Sequence, residues 1–194
     1  DPRLASYFKV AKKDGAYHGV RNGQTSRSQG TLSEAASSMN VGQASSILWM
    51  DAAETYFLLA EAKLRLNLGD KTVKEYYEEG VKTSFSSKGA SGAESYLDND
   101  VNVPSTSFID PTNGRNTDVS RMVSTLTVKW DESASPDKKL ERIMVQKWIA
   151  SYPSGWETWA DIRRTGYPKL FPVGNNLSGG VVNTDRGMRR LPYP

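Results

Sequence analysis

"SSILWMDAAETYFLLAEAKLRLNLGDKTVKEYYEEGVKTSF", Ser45 to Phe85, decides the fold class. Its first half is built from Ala, Leu, Glu and Lys, all strong helix formers. The pattern predicts one helix throughout, capped by Ser45 or Ser46, with Gly69 placed for a left-handed C-cap. Its apolar residues fall in two rows, Trp49–Ala53–Tyr56–Ala60 and Leu58–Ala62–Leu66, so the helix is expected to bury more than one side. A helix in a stacked array does that. In the second half, Thr72 and Glu75 fit a capping box. Val73, Tyr77, Val81 and Phe85 share one face of the helix that follows. Gly80 costs about 1 kcal/mol in a helix interior. It therefore predicts close approach of another backbone, such as the Ala-rich row of the first helix. Only Gly69 and Asp70 are left between the two helices, which makes them an antiparallel hairpin.

Outward from the hairpin, the chain divides by composition. Residues 1–46 are rich in Gly, Ser, Asn and Gln and read as loop with one small β-hairpin, the Asn-Gly of "RNGQ" (Arg21–Gln24) marking a tight turn. The hairpin proper occupies 46–87 and a polar insertion 88–134. Within the insertion a short helix starts near Ser91, with Glu94 three residues on, and "TLTVKW" (Thr125–Trp130) reads as a short strand. A helix pair fills 135–166. Ser135 caps the first of these helices, Pro136 takes its first turn and Asp137 favours its positive end. Pro153 stops it, because a proline disfavours helical geometry at the residue before it. Ser154 and Glu157 then form a second capping box, and "GWETWADIRRT" is a helix closed by Gly166. Beyond Gly166 the chain reads as irregular.

Bulk composition removes several functions. The chain has 194 residues, net charge +3 and 37% hydrophobic residues, with a mean hydropathy of −0.58. No apolar run approaches the ~18 residues of a membrane span. Basic and acidic residues (25 and 22) are interspersed, and the pairs Lys138-Lys139, Arg163-Arg164 and Arg189-Arg190 are too short for a phosphate track. Without cysteine there is no disulfide, thiol nucleophile or thiolate metal site. One histidine, His18, leaves no two-His metal site, and in a Gly-rich loop it reads as a turn residue. No cofactor is expected.

Two stretches carry a family resemblance. "AETYFLLAEAKLRLNLGDKTVKEYYEEGVKTSF" (Ala53–Phe85), followed by "QKWIASYPSGWETWADIRRTGYPKL" (Gln146–Leu170), resembles the SusD/RagB family. "DPRL" near the start and "RRLPYP" at the end fit the same pattern. The "LGD…YYEEGV" run also resembles a degenerate tetratricopeptide repeat. The resemblance implies an all-α fold of tetratricopeptide-like helix hairpins in a right-handed array with long loops. The chain would be the C-terminal portion of a single such domain, without the family's N-terminal helices and lipid-anchor cysteine. It further implies a non-catalytic lipoprotein on the outer face of the bacterial outer membrane. Such a protein binds a glycan or other nutrient and covers a SusC-like TonB-dependent transporter. A helical-repeat scaffold for protein or peptide partners is the alternative.

Helix packing and capping account for most of the conspicuous polar and aromatic clusters. Trp156, Trp159 and Arg163 fall on one helical face, which is expected to pack on the preceding helix rather than hold a sugar. Arg163 and Arg164 are expected to pair with Asp161, Glu157 or helix-end carbonyls. Glu157 and Asp161 have the separation of a glycosidase pair, but the cap claims Glu157 and the arginines hold both ionised. Asp98, Asp100 and Asn102 begin like a calcium loop, but Val103 and Ile109 stand where its Gly and Glu belong. Ligand contact is placed in the loops: Tyr7, Tyr17, Arg21, Asn22 and Tyr96. These offer aromatic faces beside amide and guanidinium donors suited to vicinal hydroxyls.

Overall fold

The structure is a computed structural model that describes residues 1–23, 28–46, 48–121, 123–171 and 173–179. Gln24 of the expected turn, the Arg189-Arg190 pair and the "RRLPYP" end lie outside them. Among the described residues there are seven helices and two small antiparallel strand pairs. The elements run α1 (Leu4–Tyr7), β1 (Phe8–Lys9), α2 (Gln29–Ala35), β2 (Ser38–Met39), α3 (Ala52–Leu66), α4 (Val73–Ser87), α5 (Ala93–Leu97), β3 (Ser107–Ile109), β4 (Asn116–Asp118), α6 (Pro136–Ala150) and α7 (Gly155–Thr165). None of the helices is long and apolar enough to cross a membrane. The chain forms two compact units. The helical unit holds residues 1–6, 42–104 and 124–168, and the loop-rich unit holds 7–41, 105–123 and the described residues from 169 on.

The helical unit is organised by the α3–α4 hairpin. Asp51 at the start of α3 meets Lys88 just past the end of α4 at 3.4 Å and accepts Ser87 Oγ at 3.2 Å, so the two helices run antiparallel. The same carboxylate accepts the Ala53 amide at 3.0 Å and is the N-cap. The expected start at Ser45 or Ser46 is therefore corrected to Ala52: the helix begins where its cap is also fixed by the partner helix. Trp49 precedes the helix and is 92% exposed, so the expected row loses its first member, while Ala53 and Ala60 are buried and Tyr56 packs against the core. Leu58 and Leu66 are exposed too, and α3 buries a single face of Ala53, Phe57, Ala60 and Glu61. The helix ends on Asn67 in the left-handed region (φ 55°), ahead of Gly69. The connection to α4 is closed by the Tyr76 hydroxyl, which donates to Asp70 Oδ1 at 2.6 Å and accepts the Asp70 amide at 3.1 Å.

On α4 the capping box forms as expected: Glu75 N donates to Thr72 Oγ1 at 3.2 Å and Thr72 N to Glu75 Oε2 at 2.7 Å. Tyr77, Val81 and Phe85 are buried along the expected row. Gly80 does mark a close approach, but of a side chain rather than a backbone. A Cβ there would lie 2.8 Å from the Phe57 ring. Phe57, Tyr77 and Trp130 then stack in sequence, with centroids 6.4 and 5.2 Å apart, each buried ring stabilising the core by about 1.5–3 kcal/mol.

α6 packs on both helices of the hairpin and contributes Leu140, Ile143, Met144 and Ala150 to this core. Ser135 caps it through the Lys138 amide, with Pro136 in the first turn. The stretch Thr125–Trp130 is not a strand. Its carbonyls are taken by side chains instead, Val128 O by Tyr77 Oη at 2.7 Å and Thr127 O by Arg142 Nε at 3.1 Å. The strands of the insertion lie earlier, pairing Ser107–Ile109 with Asn116–Asp118. In the loop-rich unit β1 pairs with β2, and the Ser28-capped helix α2 lies between them in the chain, correcting the expectation of loop there.

Candidate functional site

The loop carrying Tyr17 has few apolar residues, so hydrogen bonds must set its shape. The Ala11 amide donates to Ala16 O at 2.8 Å and the Gly15 amide to Ala11 O at 3.0 Å, with Gly15 at positive φ. Asp14 Oδ1 accepts the Ala16 amide at 3.1 Å, and Asp14 Oδ2 meets His18 Nε2 at 2.8 Å. The Ala16 and His18 bonds hold the Asp14 carboxyl below its ordinary value. Ser37 then fixes His18 twice: its amide donates to His18 O and its hydroxyl accepts the His18 amide, both at 2.9 Å. Tyr17 stands between two anchored neighbours and is 40% exposed. His18 thus does the turn work expected of it.

Four residues on, the Arg21–Gly23 turn is held by a second segment. The Gly174 amide donates to Asn22 O at 2.7 Å. Gly23 (φ +71°) is crowded by Val173 and by Asn175 O, so no side chain fits there. Asn22 is exposed and Arg21 half-buried. The same unit carries an open groove of about 640 Å³ lined by Val10, Lys12, Gln29, Leu32 and Ser33, with Ser37 on its wall. Ser37 therefore belongs both to this groove and to the support of the Tyr17 loop. The groove escaped sequence reading because α2, which supplies much of its lining, is a seven-residue helix in a polar stretch.

The other two candidates are otherwise engaged. Tyr7 is 7% exposed, its ring edge-on to Phe8 at 6.4 Å. Tyr96 belongs to the helical unit. Its ring lies 5.1 Å from Phe85, and its hydroxyl donates to Asp1 at 2.9 Å and accepts Gln146 Nε2 at 3.0 Å. The partner that organises this cluster is the fully buried Arg3 of "DPRL". Arg3 donates to Asp1, Ser84 Oγ (2.9 Å) and Gln146 Oε1 (2.8 Å) and lies over the Phe85 ring at 4.8 Å.

The "GWETWADIRRT" helix is arranged opposite to expectation. Its buried residue is Asp161, whereas Trp156 is 82% exposed and Trp159 stands at its surface. Asp161 meets Lys147 Nζ at 2.7 Å and Arg164 at 2.7 Å; Lys147 also meets Glu54 at 3.1 Å. Arg164 grips Glu61 with both nitrogens, at 2.5 and 2.6 Å, and this pairing, with Asp161, raises its pKa further. Only one side of α7 can face inward, and Lys147 and Glu61 meet Asp161 and Arg164 on that side. Arg163 stacks on Trp159 at 4.3 Å, in place of the ion pair expected. Ser154 is the N-cap but makes no side-chain cap bond: its ψ of 81° is far from the 162° and 156° of Thr72 and Ser135. Asp161 is thus a structural anion. Among the described residues no group of three metal-ligating side chains forms, Asp98 and Asp100 included.

A family model described as SusD and RagB outer membrane lipoprotein matches residues 1–194. The chain belongs to the SusD-like family. Among solved structures, this SusD-like chain is similar to a chitin-binding SusD homolog from Flavobacterium johnsoniae (41% identity, TM-score 0.86). It is also similar to SusD homologs from Bacteroides thetaiotaomicron (41%, 0.88) and Bacteroides uniformis (43%, 0.86). In each case the match covers all of this chain and 40% of the other. No curated protein matches it. The family is one of outer membrane lipoproteins with carbohydrate-binding members, and its fold of helical hairpins is the fold described above.

Proposed function

We propose that this chain is the C-terminal portion of a single SusD-like domain. In this reading the domain binds an extracellular glycan at the bacterial outer surface and passes it, unaltered, to a SusC-like TonB-dependent transporter. The hairpin (46–87), insertion (88–134) and helix pair (135–166) are parts of that one domain. The observation that carries this reading is the 41% identity, over the whole chain, to a homolog described as chitin-binding. Ligand contact falls to Tyr17, Arg21 and Asn22. Tyr17 supplies a partly exposed ring on a hydrogen-bonded backbone, which lowers the ordering cost of binding. Arg21 and Asn22, four and five residues further along the chain, supply donors. Tyr7 and Tyr96 act as supports, through the packing and hydrogen bonds that occupy them.

The test is calorimetric titration of the protein with soluble chito-oligosaccharides and other glycans. Ring stacking contributes about 0.5–1.5 kcal/mol and a hydrogen bond from a charged donor about 1.5–3 kcal/mol. Tyr17→Ala with Arg21→Ala should therefore weaken binding at least about tenfold and leave the melting temperature unchanged. Unaltered affinity would move the ligand away from this loop.

A further inference from the structure

We infer that the ligand is an acidic oligosaccharide, and that the groove of the loop-rich unit receives its anionic group on Lys12. The inference rests on the glycan-binding reading above and adds the charge of the ligand. Backbone hydrogen bonds fix the shape of the groove. One wall is the stretch that holds Val10 and Lys12, and the other is α2 with the residues that follow it. The Lys13 amide donates to Glu34 O at 3.0 Å and β1 pairs with β2, so the two walls are tied together. Ser37, on the second wall, makes both of its bonds to His18, next to Tyr17. The groove and the Tyr17 loop thus meet at Ser37, within reach of one oligosaccharide.

The lining decides the chemistry. A volume of about 640 Å³ falls within the roughly 300–1,000 Å³ of small-molecule sites. Among the described residues no aromatic ring lines the groove, so it lacks the flat face on which a neutral pyranose stacks. Val10 and Leu32 give it an apolar side, and Gln29 and Ser33 offer an amide and a hydroxyl to sugar hydroxyls. Lys12 is the cation of the lining. Glu34 meets Lys12 Nζ at 3.3 Å, but both side chains are more than half exposed. Such a surface pair contributes little, so a carboxylate or sulfate of the ligand can take the place of Glu34. The charge of the unit points the same way. Among the described residues it holds seven Lys and Arg against four Asp and Glu, while the helical unit holds fourteen against seventeen. The basic excess of these residues therefore lies in the unit that carries the groove, where it favours the approach of an anion.

The experiment is calorimetry of the protein with tetragalacturonate, sulfated cellotetraose, neutral cellotetraose and other neutral glycans, and tetraglutamate, at low and at physiological ionic strength. At low ionic strength at least one acidic saccharide should bind about tenfold tighter than any neutral one, the gain that a charge-assisted hydrogen bond supplies. Part of that advantage should disappear as salt rises. The tighter of the two acidic saccharides tells carboxylate from sulfate. Lys12→Gln should abolish the advantage with the melting temperature unchanged. Lys9→Gln removes the same charge from an exposed residue outside the lining and should preserve it. Neutral glycans bound as tightly as the acidic ones, or in their place, would overturn the inference and leave the glycan-binding reading standing. Absence of binding by every saccharide would overturn both. Tetraglutamate bound as tightly as tetragalacturonate would assign the groove to acidic peptides, and equal losses from the two variants would reduce the effect to overall charge; either result overturns the inference.

Discussion

The Asp14 carboxylate accepts the Ala16 amide and meets His18, and together these two contacts hold the backbone on either side of Tyr17. Its pKa is lowered below the ordinary 3.8 by these bonds, the Ala16 amide contributing most. A depressed carboxylate stabilises the folded loop at every pH above the unfolded value. That contribution is lost as the pH falls through the folded value. The Tyr17 ring resonances should therefore shift as the pH falls below the ordinary carboxylate range. An NMR titration checks this, and Asp14→Asn should abolish the acid-limb shift while retaining a weaker version of the turn. At the same scale, Arg3 gives the "DPRL" stretch a structural role. Its guanidinium joins the N-terminal residues to α4 and α6 through Ser84 and Gln146.

At the scale of elements, the "WADIRR" stretch acts through charge. Lys147 of α6 is 3% exposed and lies between Glu54 of α3 and Asp161 of α7, and Arg164 ties Asp161 to Glu61 of α3. Removing one member of a buried pair leaves its partner uncompensated, at a cost of 3–5 kcal/mol. With Glu54 still beside Lys147, Asp161→Ala should destabilise the protein by about 3 kcal/mol, seen as a lower denaturation midpoint. Trp156→Ala in the isolated 194-residue chain should cost far less. The helices themselves were legible because their signals are local: Thr72 with Glu75, Ser135 with Pro136, and Gly166 after α7 all stand where expected. Two failures were local: Asp51 caps α3 through the nearby Ala53 amide rather than Ser45 or Ser46, and the Ser154–Glu157 capping box does not form. The third was non-local. Asp161 rather than the tryptophans is buried where Lys147 and Glu61 converge, which is not written in helical periodicity.

At the scale of the molecule, the fold and the family were legible from two long patterned stretches, while the proposed site was legible only as a set of candidate residues. Tyr17, Arg21 and Asn22 lie within six residues of sequence, but the Ser37 and Gly174 contacts that hold this stretch come from distant segments. Tyr7 and Tyr96 have the composition of ligand residues, and burial or a hydroxyl network occupies them, which no single-residue property reveals. The function follows the same division: family membership supplies the outer membrane lipoprotein class, and we propose the loop-rich unit as the place for a glycan. The central claim is capture of a glycan without chemistry on it. It is tested most directly by titrating the protein with a panel of soluble oligosaccharides in a calorimeter and recovering the sugars afterwards for mass spectrometry. The account predicts saturable binding of at least one oligosaccharide that is recovered intact. Shortened products, or heat from peptides but from no sugar, would contradict it.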